Sequence, residues 1–446
     1  MTNALFGTDG IRGTAGTFPL DAQTVRRVGA ALVKALPHSG AKLLIGRDTR
    51  ESGVWIEREL AHGARLAGAT VQSIGVGPTP AVAYLTGSLD FDAGVVISAS
   101  HNPYQDNGIK VFSGAGVKYG GQFENHIEAL VADSSWELSV EEAPEVPHAD
   151  HLRKYLDHAR SVLPNLEKLG RVRIAVDCAN GAMTTVAPAL FAELGFDLTV
   201  MGAEPDGQNI NRGVGSTHPN TLAAVVGQGG YRLGVAFDGD GDRAILVDGH
   251  GRVLDGDHVM LMCAKQMKAE GRLRGNAVVA TVMSNIGLEI ALKKLGIELI
   301  RTKVGDKYVM EEMQKRDLSL GGEQSGHLIF SEHLFTGDGL ITALSVLRTI
   351  AASGRELTDL AEDLTTYPQV LLNVRVRHKT DLETIPEVAA ILSEVEDGLG
   401  GNGRLLVRYS GTEPLLRVML EGKDLQQIDR WAHQIVDAVN KVIGQR

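Results

Sequence analysis

A chain of 446 residues is long for one hydrophobic core and predicts three or four domains. Its 43% hydrophobic and 22% charged residues exclude long disordered stretches, and a formal charge of −11 argues against a protein that binds a nucleic-acid backbone. Any anion it holds must meet a local positive site. Glycine is in excess, 53 of 446 or roughly 12% against a typical ~7%, without collagen periodicity, so particular loops must account for it. The two cysteines, Cys178 and Cys263, lie far apart with no C-x-x-C spacing, which removes disulfide frameworks and zinc knuckles and points to a reducing, cytoplasmic setting. Met1 to Gly13 has no basic-then-apolar leader, and no run approaches the ~18 apolar residues of a membrane span, so neither a membrane nor nucleic acid is expected as a partner.

In chain order, Val25, Val28, Leu32 and Leu36 recur at helical spacing between Asp21 and Pro37, which predicts an amphipathic helix. Short apolar runs at Lys42–Ile45, Ala93–Ile97, Val172–Val176, Leu233–Phe237 and Asn276–Thr281 read as buried strands, each opening on a polar loop. Strands alternating with helical stretches predict doubly wound α/β units, whose ligands gather at the carboxyl ends of strands. The polar segments near Ser134–Asp150 and Gly249–Asp257 and the Tyr367-Pro368 step divide the chain into domains at 1–150, 151–255, 256–367 and 368–446. The last reads as a smaller α+β domain. It has strands at Leu371–Val376, Leu405–Arg408 and Leu415–Leu420, a helix at Ile385–Val395, and a closing helix with Asp424 as N-cap, Gln427 completing a capping box and Gly444 at its end. Gly398–Gly403 matches G-x-G-x-x-G but follows a helix and precedes a strand, the reverse of a dinucleotide site.

Asp238-Gly239-Asp240-Gly241-Asp242-Arg243 spaces three carboxylates two apart between apolar strands. In extended backbone such positions project to one side, and the glycines let the loop curl, so all three can face one cation. An EF-hand needs glycine sixth and glutamate twelfth, where Arg243 and Gly249 stand; three oxygens with room for water and phosphate suit Mg²⁺ instead. Ser98-Ala99-Ser100-His101-Asn102-Pro103 holds a hydroxyl at a sheet edge, but it lacks the flanking glycines of a hydrolase elbow and alone reads as a capped turn. His101 carries no weight as a base there, because neighbours on an extended chain point apart. Arg408-Tyr409-Ser410-Gly411-Thr412-Glu413-Pro414, with Arg417, is either a phosphate-gripping concavity or a tight turn with surface arginines. Gly321 to His327 offers Glu323 and Ser325 to sugar hydroxyls, or is simply a polar hairpin loop.

Taken together, Gly7 to Gly13, Ser98 to Pro103, Asp238 to Arg243, Glu323 to His327 and Arg408 to Pro414 stand in the order of the α-D-phosphohexomutase superfamily, which the chain resembles over essentially its whole length. Gln324 between Glu323 and Ser325 is similar to the glucosamine branch. The resemblance implies three related mixed-sheet α/β domains and a smaller fourth around a central cleft. It implies that Ser100 is the phosphorylated nucleophile and that Asp238, Asp240 and Asp242, with the serine phosphate, hold one Mg²⁺. Glu323, Ser325 and His327 would contact sugar, and Arg408, Ser410, Gly411, Thr412 and Arg417 the substrate phosphate, with Lys307 a further site residue. Arg12, His101, Lys110 and Arg243 would complete the catalytic set, Lys110, Arg12 and His101 being the candidates for moving protons. The implied activity interconverts glucosamine 6-phosphate and glucosamine 1-phosphate through a 1,6-bisphosphate, ahead of UDP-N-acetylglucosamine and cell-wall precursor synthesis. Priming would come from a hexose 1,6-bisphosphate or self-phosphorylation, and a homodimer is left open. The competing readings are a mutase for glucose or mannose phosphates and a non-catalytic phosphosugar-binding protein.

Overall fold

The computed structural model describes residues 5–7, 9–138, 141–410 and 414–445. The apolar runs become interior strands of three sheets, where both faces are covered and no polar alternation is needed. The first sheet contains β1 (Phe6–Gly7), β2 (Gly10–Thr14), β3 (Lys42–Arg47), β4 (Thr70–Val76), β5 (Ala93–Ile97) and β6 (Asp106–Ser113), in the order β1-β2-β6-β5-β3-β4. The second contains β7 (Arg173–Asp177), β8 (Asp197–Met201), β9 (Leu233–Phe237), β10 (Ala244–Asp248) and β11 (Val253–Leu254), ordered β11-β10-β9-β7-β8. The third contains β12 (Ala277–Thr281), β13 (Glu298–Thr302), β14 (Leu320–Gly322) and β15 (Leu328–Phe330), ordered β13-β12-β14-β15.

One topology runs through all three. A first strand lies between a parallel second and a parallel third, and a fourth turns back antiparallel beside the third: β4-β3-β5-β6, β8-β7-β9-β10 and β13-β12-β14-β15. Helices make the parallel crossovers, for example Ser52–Leu66 between β3 and β4 and Thr79–Ser88 between β4 and β5. Helix Ala22–Ala35 starts where Asp21 accepts the Thr24 N–H at 2.9 Å, and Val25, Val28 and Leu32 sit in the first core. These sheets class the fold as α/β.

Residues 1–284 with 295–363 form one compact unit, and 285–294 with 364–446 a second. The second unit contains the antiparallel sheet of β16 (Gln369–Arg375), β17 (Arg404–Tyr409) and β18 (Leu415–Glu421), ordered β16-β18-β17. Helices Pro386–Leu399 and Leu425–Ile443 supply the remainder of its core. Asp424 caps the last helix through the Gln426 and Gln427 N–H groups. Gly444 ends it in extended backbone, φ −61°, rather than the left-handed cap; a Cβ there would meet Asn440 at 2.6 Å, so crowding and not a left-handed conformation favours glycine.

Helix Ile286–Lys294 belongs to this unit because Glu421 reaches its start. The fully buried Glu421 carboxylate accepts the Ile286 N–H at 3.0 Å, Gln369 Nε2 at 3.0 Å and Arg404 Nη2 at 2.9 Å. A negative group at a helix N-terminus satisfies an orphan donor and meets the positive end of the helix dipole. Asn285 completes the join by accepting the Tyr367 N–H at 3.0 Å and donating to the Tyr367 carbonyl at 2.9 Å, which pins the backbone just before Pro368. Removing one partner of a buried charge pair costs about 3 kcal/mol or more. Glu421→Ala should therefore speed amide hydrogen exchange across 286–294 while residues 277–281 of β12 keep their protection.

Candidate active site

The three α/β loops singled out in the sequence occupy one topological position, the turn from third to fourth strand: Ser98–Asn102 after β5, Asp238–Arg243 after β9 and Glu323–His327 after β14. Ser100, 1% exposed, has left-handed backbone with φ 52°, a conformation that costs an L-residue roughly 1–2 kcal/mol. Its Oγ donates to Asp238 Oδ2 at 2.5 Å. The same backbone corrects the expectation for His101. Ser100 is not extended, so the two side chains meet, Oγ to Nδ1 at 3.2 Å. Arg243 Nη1 lies 3.2 Å from that same Nδ1, and a guanidinium only donates, which leaves the ring proton on Nε2. Partial burial and the Arg243 charge hold the imidazole pKa down.

The carboxylates of Asp238, Asp240 and Asp242 offer ligand atoms within 4.8 Å of one another. They converge through a turn and not by alternation along a strand: the Gly241 N–H bonds the Asp238 carbonyl at 3.1 Å, and Gly241 has φ 73°. Gly239 answers a different need, since a Cβ there would fall 2.5 Å from the Ser100 carbonyl oxygen. Thr79 fastens the loop, N–H to the Asp240 carbonyl at 2.8 Å and Oγ1 to Asp240 Oδ2 at 2.5 Å, and the Gly339 N–H holds the Gly241 carbonyl at 3.0 Å.

Lys110, 1% exposed, puts Nζ 2.8 Å from Asp240, 3.1 Å from Asp242 and 3.3 Å from Asp9. Burial alone would strip its proton, but those carboxylates outweigh it and hold its pKa well above normal. Burial, then the Asp242 and Asp240 charges, push the Asp238 carboxyl well up. Asp242 is held well below the carboxylate range because Lys110, His327 and Arg243 outweigh burial. Asp240 Oδ1 and Asp242 Oδ1 are buried without hydrogen-bond partners. Three hard oxygen donors, two of them unsatisfied, fit a divalent cation.

Lys118 and Asp306 gave no signal in the sequence, and Asp9 stood out only as part of the Gly7 to Gly13 segment. Asp9 links Arg12 (2.6 Å), Lys110 and Lys118 (2.5 Å), and Lys118 continues to Asp306. His327 differs from the expected sugar contact. Its ring, 2% exposed, lies 3.6 Å from both Asp242 Oδ1 and Asp306 Oδ2 and accepts the Gly337 N–H at 3.1 Å, so it braces the acidic loop. Glu323 Oε1 accepts the Gly305 N–H at 3.1 Å, and its charge is felt at Arg243; Ser325 is exposed. Gln324 turns inward to Asp255 at 3.1 Å, and Lys307 pairs with Glu124 at 2.9 Å.

In the C-terminal unit, Arg408 and Arg417 are direct cross-strand partners of β17 and β18. Like charges so placed repel, and partial burial together with Arg417 lowers the Arg408 pKa. Among the described residues Arg417 Nε is buried without a hydrogen-bond partner, which fits an anion beside it. Ser410 N–H bonds the Leu415 carbonyl at 2.7 Å, and Lys379 Nζ bonds the Ser410 carbonyl at 2.6 Å. Gly411 and Thr412 lie outside the described residues.

Four family models match in succession. They are phosphoglucomutase/phosphomannomutase alpha/beta/alpha domain I at residues 3–137, domain II at 153–251, domain III at 255–367 and the C-terminal domain at 371–438. The chain is 48% identical over 446 residues to a phosphoglucosamine mutase of Geobacter metallireducens, covering 99% of each, and 49% identical over 455 residues to that of Solibacter usitatus, covering 100% of each. Among solved structures it resembles a phosphoglucomutase/phosphomannomutase family protein of Burkholderia thailandensis, with TM-score 0.82, 24% identity, and 98% of this chain and 97% of that one covered.

Asp338 holds helix Gly339–Ser353 behind the acidic loop, accepting the Leu340 N–H at 2.9 Å, the Ile341 N–H at 3.0 Å and Tyr155 Oη at 3.0 Å. Burial pushes its carboxyl up to about 6 from 3.8. The fold thus favours its protonated form, so its stabilising contribution is complete below pH ~4 and is lost as pH rises through ~6. Asp338→Asn stays neutral throughout. Between pH 4 and 6 the wild type should lose about 2 kcal/mol more unfolding free energy than the variant, read by denaturant titration at each pH.

Proposed function

The chain belongs to the phosphoglucomutase/phosphomannomutase family, and from that premise we propose that it interconverts glucosamine 6-phosphate and glucosamine 1-phosphate through a phosphoserine at Ser100. It is an intramolecular phosphotransferase. The observation that carries the assignment of Ser100 is its Oγ at 2.5 Å from Asp238 within the carboxylate triad; the choice of glucosamine rests on the full-length relatives.

In the first half-reaction the Oγ–P bond of phosphoserine breaks and a bond forms from phosphorus to the sugar O1, whose proton leaves. Glucosamine 1,6-bisphosphate results. In the second, its 6-phosphoryl group passes to Ser100 Oγ and glucosamine 1-phosphate is released. One Mg²⁺, held by Asp238, Asp240, Asp242 and the serine phosphate, would neutralise charge on the transferring oxygens. The remainder falls to side chains. Lys110 and Arg243 supply fixed positive charge beside the serine, which is what phosphoryl transfer chiefly asks of a protein. Lys110, a buried and fully protonated ammonium, can donate to a departing sugar oxygen; Arg12 is the other candidate. Neutral His101 keeps Arg243 against the serine. Glu323 and Ser325 take sugar hydroxyls, and Arg408, Ser410 and Arg417, with Gly411 and Thr412, the distal phosphate. Lys307 is a further contact, and priming comes from a hexose 1,6-bisphosphate or from self-phosphorylation.

Among the described residues no helix is long and apolar enough to cross a membrane. Cys178 and Cys263 are buried free thiols whose pKa values burial raises, Cys263 to about 12, in keeping with a reducing, cytoplasmic location.

Ser100→Ala should lower turnover by more than about 10⁴-fold with an unchanged melting temperature. Near wild-type turnover would reject Ser100 as the carrier. Asp240→Asn should weaken Mg²⁺ binding by about tenfold or more in calorimetric titration, because it removes one of three anionic donors. Glucosamine, glucose and mannose 6-phosphates compared on enzyme shown by mass to be phosphorylated should give the highest kcat/KM with glucosamine.

A further inference from the structure

The geometry points to Arg50 and Asn211 as positioning residues that hold Ser100 for phosphoryl transfer by gripping the same two backbone carbonyls. The inference rests on the phosphoserine reading above. Arg50 is fully buried, and its Nη2 donates to the Ser100 carbonyl at 3.2 Å and the Asn102 carbonyl at 2.5 Å. Asn211, 6% exposed and carried by the other α/β domain, donates from Nδ2 to the same carbonyls at 2.9 and 3.2 Å.

Behind Arg50 stands Asp48, also fully buried. It pairs with the Arg50 guanidinium, accepts the Arg50 N–H at 2.9 Å and accepts Ser98 Oγ at 2.5 Å. Ser98 Oγ in turn accepts the Ser100 N–H at 2.9 Å. Both peptide groups flanking Ser100 are thus tied to one buried ion pair. Asn211 connects the loop to the metal-binding turn, since a Cβ on Gly239 would fall 2.9 Å from Asn211 Nδ2.

Neither residue touches the reacting atoms. Their action is on the backbone that aims Oγ. The left-handed backbone at Ser100 costs an L-residue roughly 1–2 kcal/mol, so without outside support the residue relaxes into an extended one. Strained conformations at functional sites persist only where the surroundings over-determine them, and four hydrogen bonds from two donor nitrogens to two carbonyls do so here. The loop that opens at Asp48, directly after β3, thereby gains a part in the reaction.

Asn211→Ala, Asn211→Asp and Arg50→Lys test this. With glucosamine 6-phosphate and phosphorylated enzyme, kcat should fall roughly 10- to 100-fold while KM stays within about threefold, as expected for misplacement of a reacting group. Phosphoryl transfer from glucose 1,6-bisphosphate to dephosphorylated enzyme, followed by intact mass, should slow by the same factor, and the Asn211 variants should keep the wild-type melting temperature. Asn211→Asp keeps the size but turns a donor into an acceptor, so it should be at least as impaired as Asn211→Ala. An unchanged kcat, a loss confined to KM, or rescue by Asn211→Asp overturns the inference. If Arg50→Lys does not fold, the two Asn211 variants decide. The wild type is assayed in parallel: failure to turn over glucosamine 6-phosphate rejects the functional reading, whereas an active wild type matched by its variants rejects only the clamp.

Discussion

Three carboxylates on one buried turn cannot all ionise without cations close by, and the surroundings of Ser100 are organised around that requirement. Lys110 meets two of the three directly, Arg243 flanks them, and His327 stands 3.6 Å from Asp242. Two carboxylate oxygens remain unsatisfied even so. Asp9, Lys118 and Asp306 extend the alternation of charges outward, so the acidic loop is the centre of a lattice and not an isolated cluster. A neutral chain segment in its place would leave the buried Lys110 ammonium with Asp9 alone, at 3.3 Å, which is why the acids and the lysine belong together.

Architecture delivers these groups economically. The same four-strand topology occurs three times, and each time the functional loop joins the third strand to the antiparallel fourth. The proposed nucleophile, the acids proposed to hold metal and the proposed sugar loop are thus three versions of one connection. Loops at the carboxyl ends of parallel strands converge where the sheets meet, and each is then trimmed locally: left-handed backbone at Ser100, a glycine turn at Gly241, an inward-facing glutamine at Gln324.

The C-terminal unit solves a different problem with simpler means. An antiparallel pair sets Arg408 and Arg417 side by side, an arrangement whose repulsion an anion relieves. Glu421, a few residues further along the same strand, performs the opposite service, placing a negative charge at the start of helix Ile286–Lys294. One short strand thus carries both a group proposed to bind phosphate and the group that draws a distant helix into its unit.

The sequence by itself determined the fold class, the interior strands and the family that its loop motifs mark. Strands covered on both faces must be apolar throughout, so β5, β9 and β12 are visible as unbroken runs, and phosphate and metal chemistry restricts the loops to a few residue types in recognisable order. Tertiary structure decided what depends on distance in sequence or on a single torsion angle. Ser100 and His101 meet because one φ is positive, which no spacing rule anticipates. His327 faces Asp242 and Asp306, because its neighbours are chosen by how the third α/β domain packs on the second. Lys118, Arg50 and Asn211 look like ordinary surface residues when read in line, and Asp9 stands out only as part of the Gly7 to Gly13 segment. Their partners lie tens to hundreds of positions away, brought together by strand pairing within the first sheet and by the packing of the other domains against it.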